Sequence, residues 1–499
     1  MRSDAIERLG AYEHDLLVIG GGIVGAGIAD VASRHGLRVA LVDRGDFGGG
    51  TSSASSKLIH GGLRYLRLGD IRLVREAHQE RRILMHTVAP HLVQRLPFLL
   101  PLYADGPYRP LVVQTGIVLY STLARARLNG LVKPERARRL VPELRVERLR
   151  SCALYADAWT HDSRLTLANV RAAADAGATV LNYAKVVGLR VDGGRVRGAE
   201  VAVDGGVVQV RARAVVNAAG PWLDSVRRLE DPRAGTSVRL SKGVHVLLPQ
   251  EHAWPAALTV PHDKVRVSFA VPWEGMVLLG TTDTQFDGTP DNLEVEETDV
   301  QEVLDEAAVA LDPALLSRDR VLSAFAGLRV LPGGDGSTAT TRRETVYTRG
   351  PAGMVSIAGG KLTTYRRIAL DALEHLRADL GLHRLDRRPH PLPGASGLDR
   401  VRFPDELDAA TRSHLLHFYG SLAEDVLAPA AEDPSLLEPL VEGAPELAAQ
   451  ALYAARREWA VTPEDVLRRR TTLALRGAAS PETSSRVDQL LRHELVART

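Results

Sequence analysis

Residues 51–66 gather side chains that suit the binding of a large polar ligand. The stretch reads TSSASSKLIHGGLRYL and carries hydroxyl groups on Thr51, Ser52, Ser53, Ser55 and Ser56. These hydroxyls, and the backbone N–H groups beside them, can donate hydrogen bonds to an extended ligand. The same stretch then supplies Lys57, His60, Arg64 and Tyr65. This mixture of polar, basic and aromatic groups indicates a binding site, provided that the preceding chain positions it.

The preceding chain has the pattern of a dinucleotide-binding unit. DLLVI (15–19) predicts a buried parallel strand, GGGIVG (20–25) follows at once, and AGIADVASRHG (26–36) predicts a helix. A second strand is expected over 37–42, closed by Asp43. The order of strand, tight turn, helix, strand and acid is the context that makes a GxGxxG motif specific.

Each element of this motif has a physical role. Gly20 permits the turn, Gly22 lets the backbone approach a pyrophosphate, and Gly25 lets the helix pack closely on the strand. The helix N-terminus then presents unpaired N–H groups and a favourable dipole to the phosphates. Asp43 is placed to accept hydrogen bonds from an adenosine ribose.

The segments after Asp43 favour FAD over NAD. A simple nicotinamide enzyme would continue with another helix and strand, whereas the hydroxyl-rich stretch follows here. RAVVNAAGPWLD (213–224) and MVSIAGGKLTTYRRIALDAL (354–373) each read as a strand that runs into a small-residue turn and a helix start. If the hydroxyl-rich stretch and these two segments all contact one ligand, that ligand is long and is bound by a domain built from separate parts of the chain.

Composition excludes several classes of protein. A chain of 499 residues is long enough for two or three domains, and 45% hydrophobic with 25% charged residues is typical of a soluble globular protein. A net charge of +2 does not suggest a nucleic-acid partner. Cys152 is the single cysteine, so no internal disulfide is possible and a reducing compartment is expected. We interpret Cys152 as a small core residue.

The sequence gives no sign of a membrane span. The N-terminus lacks the features of a signal peptide, and the apolar run 111–124 is shorter than the roughly 20 residues that span a bilayer. Between Arg109 and Arg150 there are ten Lys and Arg against three Asp and Glu, interleaved with Leu and Val. That pattern is typical either of a solvated helix face or of a basic amphipathic surface on anionic lipid.

A series of motifs resembles one known family. They are TSSASSKLIHGGLRYL, DIRLVREAHQER (70–81), VVNAAGPW, SKGVHVLLP (241–249), PWEGMVLLGTTDT (272–284), AGLRVLP (326–332), TTRRE (340–344), AGGKLTTYR (358–366) and EWAVTPEDVLRRRT (458–471). In this order they resemble the FAD-dependent glycerol-3-phosphate dehydrogenases of the aerobic, respiratory type, over almost the whole chain. The wider family of glycine and amine oxidases shares the FAD motifs but not LIHGGLRYL or GGKLTTYR. Gly48–Gly50 and Asp43 are small departures from the family pattern.

The resemblance implies an α/β fold with three parts. A Rossmann-like FAD-binding domain of the glycine and amine oxidase class is expected from residues 14–90, 151–239 and 321–386. A mixed-sheet substrate domain is expected from 91–150 and 240–320. RRPHPLPGASGL (387–398) reads as a linker, and 399–499 as an all-helical C-terminal domain that supports the fold or makes dimer contacts.

The resemblance also nominates the residues of the reaction. His245 is the candidate base, although a histidine among apolar residues is more often a core residue. Arg329 would orient the C2 oxygen of the substrate, and the alternative is a structural ion pair with a core carboxylate. The phosphate would be held by Arg64, Tyr65, Arg342 and Lys361, with Arg343 a competing choice for Arg342. Lys361 could instead lie beside the flavin ring, and it is also a candidate catalytic residue.

The FAD is expected to be bound non-covalently, although His60 near the ring makes covalent attachment worth checking. Thr363 and Thr364 could contact the flavin or cap the next helix. The predicted cofactor residues are Gly20, Gly22, Gly25, Asp43, Thr51, Ser52, Ser53, Ser55, Ser56, Lys57, Leu58, Ile59, His60, Gly61, Val186, Ala219, Gly220, Gly360, Lys361, Leu362 and Thr363. No metal is expected.

The implied activity is oxidation of sn-glycerol 3-phosphate to dihydroxyacetone phosphate by hydride transfer to FAD, with a membrane quinone as acceptor. An oxidase that reduces O2 is the nearest alternative, but we find no extra inserted segment of the kind such oxidases carry. A non-catalytic flavin scaffold would not need His245, Arg329 and Lys361, and an amine oxidase would not need the full cationic set. We expect a homodimer in the cytoplasm, attached peripherally to an anionic lipid surface at the inner face of the cell membrane.

Overall fold

A computed structural model describes residues 2–62, 71–123, 130–263, 266–333 and 345–496. Two β-sheets and a helical C-terminal region make up this part of the chain. Its α-helices, numbered in chain order, are α1 (Arg2–Ala11), α2 (Ile23–Arg34), α3 (Ile71–Ile83), α4 (Pro110–Leu123), α5 (Pro134–Leu140), α6 (Asp162–Asp175), α7 (Leu223–Arg227), α8 (Glu297–Ala307), α9 (Tyr365–His375), α10 (Arg377–Leu380), α11 (Ala409–Tyr419), α12 (Ala423–Leu427), α13 (Ala448–Arg457) and α14 (Pro481–Val496).

The strands of the described residues are numbered in the same way. They are β1 (Glu13–Ile19), β2 (Val39–Val42), β3 (Leu58–Ile59), β4 (Val93–Tyr103), β5 (Leu131–Val132), β6 (Leu149–Thr160), β7 (Thr179–Leu181), β8 (Lys185–Asp192), β9 (Arg195–Val203), β10 (Gly206–Asn217), β11 (Val238–Pro249), β12 (Ala257–Pro261), β13 (Val267–Trp273), β14 (Met276–Gly280), β15 (Thr284–Phe286), β16 (Ser323–Pro332), β17 (Val346–Arg349) and β18 (Met354–Ala358).

The first sheet has a parallel centre in the order β18-β10-β1-β2-β7, with β17 at one edge and the β8–β9 hairpin on β10. The second half of β1, residues 16–19, is apolar on both faces, as the core of a central parallel strand must be. Leu16 and Val18 pack on the side of α2, α6 and α9, while Leu17 and Ile19 pack on the side of α1, β8 and β9. This layered arrangement is the predicted dinucleotide-binding fold.

Small residues let α2 lie close to its neighbours. A methyl group at Gly27 would come within 2.7 Å of the Tyr365 ring on α9. A methyl group at Gly25 would come within 1.8 Å of the carbonyl oxygen of Gly20. The start of α2 is therefore fixed against the end of β1 by positions that have no room for a side chain.

The second sheet runs in the order β15-β11-β14-β13-β12-β4-β6-β3, with β16 on β11 and β5 on β6. Its pairs are antiparallel except β12 with β4, which is parallel. The predicted mixed sheet is confirmed. One face packs against α5 and α8, and the opposite face packs against α4.

The sheets divide the chain differently from the predicted domain boundaries. β6 and β16 belong to the second sheet, although we predicted 151–239 and 321–386 as FAD-binding segments. Among the described residues β6 pairs with β3, β4 and β5, and β16 pairs with β11, all of them strands of the second sheet. β16 continues towards β17, and β6 leads directly into α6.

The C-terminal region is helical, as predicted. Helices α11 to α14 share a core that contains Leu415, Phe418 and Val466. Residues 387–397 form neither helix nor strand, and Leu392 in this stretch is buried with its N–H donating to the carbonyl of Val88. In the part of the chain that the structure describes, no helix is both long and apolar enough to cross a membrane.

Candidate active site

A cavity of about 730 Å³ lies where the two sheets meet. Its wall is built by the turn after β1, the segment 43–60, the middle of β11 and β16, and the turn after β18. Most of the residues predicted to bind cofactor or substrate line this cavity. They are Gly20, Gly22, Asp43, Thr51, Ser52, Ser55, Ser56, Leu58, His60, Val186, Ala219, Gly220, His245, Arg329, Gly360, Lys361, Leu362 and Thr363.

The turn after β1 exposes backbone rather than side chains. Gly22 caps α2 and leads into Ile23, whose N–H donates to the Ser52 hydroxyl at 2.9 Å. A methyl group at Gly22 would lie 3.0 Å from that hydroxyl oxygen, so the glycine makes room for Ser52. Gly25 does not line the cavity, and its contact with Gly20 is the packing role expected of it.

Asp43 closes one end of the cavity. Its carboxylate accepts hydrogen bonds from the N–H groups of Gly21 at 2.6 Å and Gly45 at 2.9 Å. Burial raises the pKa of Asp43 to about 6, although these two hydrogen bonds act in the opposite direction. Each oxygen keeps a lone pair for a further donor, which is the arrangement that a ribose hydroxyl needs.

The hydroxyl-rich stretch bonds mostly to the protein itself. Thr51 donates to the carbonyl of Leu328 on β16, and Ser55 donates to Asp162. Ser53 is buried, and Ser56 lies 2.9 Å from Nε2 of His245. The hydroxyls of Thr51, Ser55 and Ser56 fix the loop against β16, α6 and β11. Thr51, Ser52, Ser55 and Ser56 also line the cavity, so their role in holding a cofactor stays a prediction.

Lys57 lies behind the cavity wall, although we predicted it to line the flavin. Its ammonium group is buried, 2.7 Å from Asp162 and 3.0 Å from the carbonyl of Ser53. The rings of Trp273 and Phe325 lie within 5.5 Å of it. Burial lowers the pKa of Lys57, and the Asp162 carboxylate opposes that shift. An ion pair with a buried aspartate explains its position.

Three other predicted cofactor residues also lie off the cavity wall, namely Ser53, Ile59 and Gly61. Gly61 donates its N–H to Asp157 at 3.1 Å, and Ile59 is in the core. Their neighbour His60 does line the cavity, because Thr363 accepts its N–H at 3.1 Å and ties β3 to the turn after β18. Thr363 therefore joins two parts of the wall.

His245 sits on β11 with its imidazole buried against the cavity. The ring stacks on Phe325 at a centroid distance of 5.0 Å, and Ser56 lies at Nε2. Burial, with the charges of Arg329 and Lys57, holds the pKa of His245 well below its usual range. The imidazole is therefore neutral at pH 7, which is the form that can accept a proton.

Arg329 lies on β16, and its guanidinium is held in an ion pair. It donates to Asp283 at 3.0 Å, to the Thr281 hydroxyl at 3.0 Å and to the carbonyl of Thr282 at 2.9 Å. The alternative role predicted for Arg329, a structural ion pair with a carboxylate, is therefore observed, with Asp283 as the partner. Because Arg329 also lines the cavity, the ion pair fixes a cation at its wall.

Two glycines on neighbouring strands, Gly243 and Gly327, lie between His245 and Arg329. β11 and β16 pair in register, with His245 opposite Phe325, Gly243 opposite Gly327, and Ser241 opposite Arg329. These residues share one face of the sheet, because side chains alternate along a strand. A methyl group at Gly327 would come within 2.5 Å of the carbonyl of Ala54. The glycine pair leaves the space into which the base and the cation face.

Lys361 follows the turn after β18 and lines the same cavity. Gly359 and Gly360 have φ angles of 82° and 113°, so glycine is favoured at both positions of this turn. Arg64, Tyr65 and Arg342, which we predicted to bind the substrate, lie outside the described residues. The structure therefore brings together His245, Arg329 and Lys361 around one cavity and leaves the other three as predictions.

Sequence reasoning missed the contribution of the C-terminal region. Arg469 lines the cavity, and both Arg469 and Arg470 form buried ion pairs with Asp46. Asp46 also accepts from the amide of Asn182. Local patterns could not reveal contacts that join residues more than 420 positions apart; the only signal was the run of three arginines at 468–470.

Comparison with known proteins agrees with this architecture. Residues 15–366 match the model of the FAD dependent oxidoreductase family, and residues 355–497 match the C-terminal domain of alpha-glycerophosphate oxidase.

Individual relatives cover nearly the whole chain. It is 39% identical to glycerol-3-phosphate dehydrogenase 2 of Mycobacterium bovis, over 95% of this chain and 83% of that protein. It is 32% identical to aerobic glycerol-3-phosphate dehydrogenase of Staphylococcus haemolyticus, over 92% and 86% of the two chains. The solved structure of the glycerol-3-phosphate dehydrogenase from Bacillus halodurans complexed with FAD is similar with a TM-score of 0.76 and 30% identity, covering 99% of this chain and 97% of that one.

Proposed function

Since the chain belongs to the family of FAD-dependent glycerol-3-phosphate dehydrogenases, we propose that it oxidises sn-glycerol 3-phosphate to dihydroxyacetone phosphate and passes the electrons to a membrane quinone. The observation that carries the proposal is the position of His245. A buried, neutral imidazole faces the same cavity as the glycine turn of the dinucleotide fold.

The residues of the cavity fit FAD. The turn at Gly20–Gly22 has no side chain in the way of a pyrophosphate, and the N-terminus of α2 favours negative charge there. Asp43 is placed for a ribose, and the cavity volume is within the range of cofactor sites. Bound in this cavity, FAD would accept the hydride from C2 of the substrate.

His245 takes the proton of the C2 hydroxyl in this proposal. The hydride leaves C2 and the proton leaves the oxygen bonded to C2, so the secondary alcohol becomes a ketone. The Ser56 hydroxyl lies within hydrogen-bonding distance of Nε2 of His245. In this proposal the C2 hydroxyl of the substrate would replace it as the hydrogen-bond partner of that nitrogen. Arg329 stabilises the negative charge that develops on the substrate oxygen, and its ion pair with Asp283 keeps the guanidinium in place.

The phosphate of the substrate is held by cations in this proposal. Arg64, Tyr65, Arg342 and Lys361 are the residues that the family motifs nominate. Lys361 is the member of the set within the described residues, and it lines the cavity. Arginine side chains bind the phosphate about equally strongly in the substrate complex and in the transition state. These residues therefore contribute mainly to substrate affinity.

Arg342→Ala should therefore raise KM far more than it lowers kcat. The expected rise in KM is about tenfold or more, because a charge-assisted hydrogen bond contributes about 1.5–3 kcal/mol. Steady-state kinetics with glycerol 3-phosphate measures both constants. Arg343→Ala is the matched control and should leave KM near the wild-type value. An unchanged KM in Arg342→Ala, or a larger effect in Arg343→Ala, would refute the assignment.

The acceptor is tested separately from the oxidation itself. The holoenzyme is first reduced with glycerol 3-phosphate in the absence of oxygen and then mixed with a soluble quinone analogue or with air-saturated buffer. A quinone dehydrogenase reoxidises faster with the quinone. Fast reoxidation by air with formation of hydrogen peroxide would show that O2, not a quinone, is the electron acceptor. The assignment of glycerol 3-phosphate as the substrate would stand.

We propose that helix α4 contacts the membrane surface. Leu111 and Val112 are 76% and 67% exposed, and Val118 and Leu119 are exposed further along the same helix. The basic helix α5 packs on the other face of the sheet, so the segment 109–150 is not a single amphipathic element. The apolar exposed surface of α4 is therefore the part that would enter the interface.

Leu111→Glu with Val112→Glu should weaken binding to vesicles that contain anionic lipid, because two charges replace the exposed apolar side chains. Co-sedimentation measures the bound fraction, and Val207→Glu is a control at an exposed valine on β10. A wild-type protein that stays in the supernatant at low salt would end the membrane proposal. We also propose a homodimer, which analytical ultracentrifugation tests.

A further inference from the structure

Three parts of the chain meet at a cluster of two histidines and a glutamate away from the cavity. His161 immediately precedes α6, Glu274 lies in the turn between β13 and β14, and His417 is on α11 of the C-terminal region. Their ligand atoms, one from each side chain, all lie within 4.8 Å of one another. Neither the cavity wall nor the proposed reaction uses any of the three.

The Nε2 atoms of the two histidines in this cluster are buried and lack hydrogen bonds within the part of the chain that the structure describes. Nε2 of His161 and Nε2 of His417 have no hydrogen-bond partner among the described residues. Glu274 Oε1 lies 3.0 Å from Nε2 of His161, within the distance of an ion pair. His161 itself is only 2% exposed. A buried polar atom without a partner in the described chain, such as Nε2 of His417, is uncommon and calls for a ligand.

The backbone holds the carboxylate towards the histidines. Glu274 has a φ of 50° and Gly275 a φ of 72°, so the two residues form the tight turn of the β13–β14 hairpin. A position with positive φ favours glycine or asparagine, and a glutamate there is uncommon. The side chain of Glu274 is nevertheless only 15% exposed and points inward at His161.

The neighbouring groups resemble the outer shell of a metal site. Gln94 on β4 lies 2.7 Å from Nδ1 of His417 through its side-chain amide. With that amide turned so that its oxygen accepts Nδ1–H, Nε2 of His417 keeps a lone pair that can bind a metal ion. The rings of His161 and His417 are 4.9 Å apart, and the ring of Trp159 lies 4.9 Å from His417.

We propose that His161, Glu274 and His417 bind a divalent transition-metal ion, Zn²⁺ in the first instance, that ties the C-terminal helices to the second sheet and to the start of α6. Two imidazoles and one carboxylate are a ligand set that zinc accepts, with water at the fourth position. Zinc needs no redox change at such a site, so the ion acts as a structural link and takes no part in the oxidation of the substrate.

The distances allow the site to close around an ion. Zinc bonds of about 2.0–2.1 Å place tetrahedral ligand atoms about 3.4 Å apart. The His161–Glu274 pair is already near that separation, and the other pairs need to shorten by at most about 1.4 Å from the 4.8 Å limit. A bound zinc ion would therefore require the His417 side chain to move by up to about that distance.

The test uses the full-length holoenzyme without a histidine tag, first treated with a chelator and then dialysed. Zn²⁺ is added back and bound metal is counted by mass spectrometry, and Co²⁺ is added in parallel because its visible absorption reports four-coordinate binding. We expect about one metal ion per chain and a rise of the melting temperature with metal concentration. Glu274→Gln and His417→Gln should each lower the metal affinity at least about tenfold.

His383→Gln, at an exposed histidine, is the matched control and should bind metal like the wild type. Less than about a tenth of an equivalent of metal on the wild-type chain would overturn the proposal. Full binding by both variants would overturn it as well. If a variant fails to fold, the wild-type cobalt spectrum decides, since a spectrum of six-coordinate cobalt would contradict the predicted site.

Discussion

Replacement of His245 by alanine should slow reduction of the bound flavin by glycerol 3-phosphate about 10²–10⁴-fold, the usual contribution of a positioned general base. The expectation rests on the buried ring, its stacking on Phe325 and the low pKa that keeps it neutral. No other histidine on the cavity wall among the described residues shares this setting, because His60 is tied to Thr363 through its backbone.

Rapid anaerobic mixing of enzyme and substrate measures the rate of flavin reduction directly. The variant should keep its FAD, which the visible spectrum of the purified protein reports, because the predicted FAD contacts do not include His245. His383→Ala is a control at an exposed histidine and should reduce its flavin at the wild-type rate. Reduction within about tenfold of the wild type in His245→Ala would remove this residue from the role of base.

Replacement of Gly25 by alanine should strongly reduce FAD binding. The added methyl group would lie 1.8 Å from the carbonyl oxygen of Gly20, far inside contact distance, and the neighbour is backbone that cannot rotate away. Either α2 moves off β1 or the turn at Gly20–Gly22 deforms. Both outcomes misplace the N–H groups that a pyrophosphate requires. We expect at least about a tenfold loss of bound FAD, since those contacts are the anchor of the cofactor.

Gly235→Ala is the matched control for this change. A methyl group at Gly235 meets no atom within 4 Å, and the residue is exposed. The ratio of flavin absorbance to protein absorbance after purification measures occupancy, and circular dichroism shows whether the variant is folded. A folded Gly25→Ala protein with full FAD would contradict the tight packing that we describe between α2 and β1.

The dinucleotide fold and the C-terminal helices were predictable because their signals are local. The apolar strand, the glycine turn and Asp43 lie within thirty residues of one another, and each constrains the backbone by itself. The residues of the reaction were located only through the resemblance to a family. No local property distinguishes His245 from a core histidine, since the strand around it is apolar on both sides.

Contacts between distant segments could not be predicted. Lys57 is paired with Asp162, and Asp46 with Arg469 and Arg470, across separations of more than 100 and 400 residues. Burial of these charges is stable only because the pairs form, and removal of one partner from a buried pair costs about 3–5 kcal/mol. The predicted domain boundaries do not coincide with the sheets: β6 and β16 lie in segments that we assigned to the FAD-binding domain, yet they pair with strands of the second sheet.

The measurement that tests the account most directly is anaerobic addition of sn-glycerol 3-phosphate to the purified holoenzyme while the visible flavin absorbance is followed. We predict prompt bleaching with glycerol 3-phosphate and little or none with glycerol, which lacks the phosphate, or with glycine, which offers an amine instead of a hydroxyl. A flavin that stays oxidised with glycerol 3-phosphate, or is reduced equally well by glycine, would contradict the assignment of this cavity to glycerol 3-phosphate oxidation.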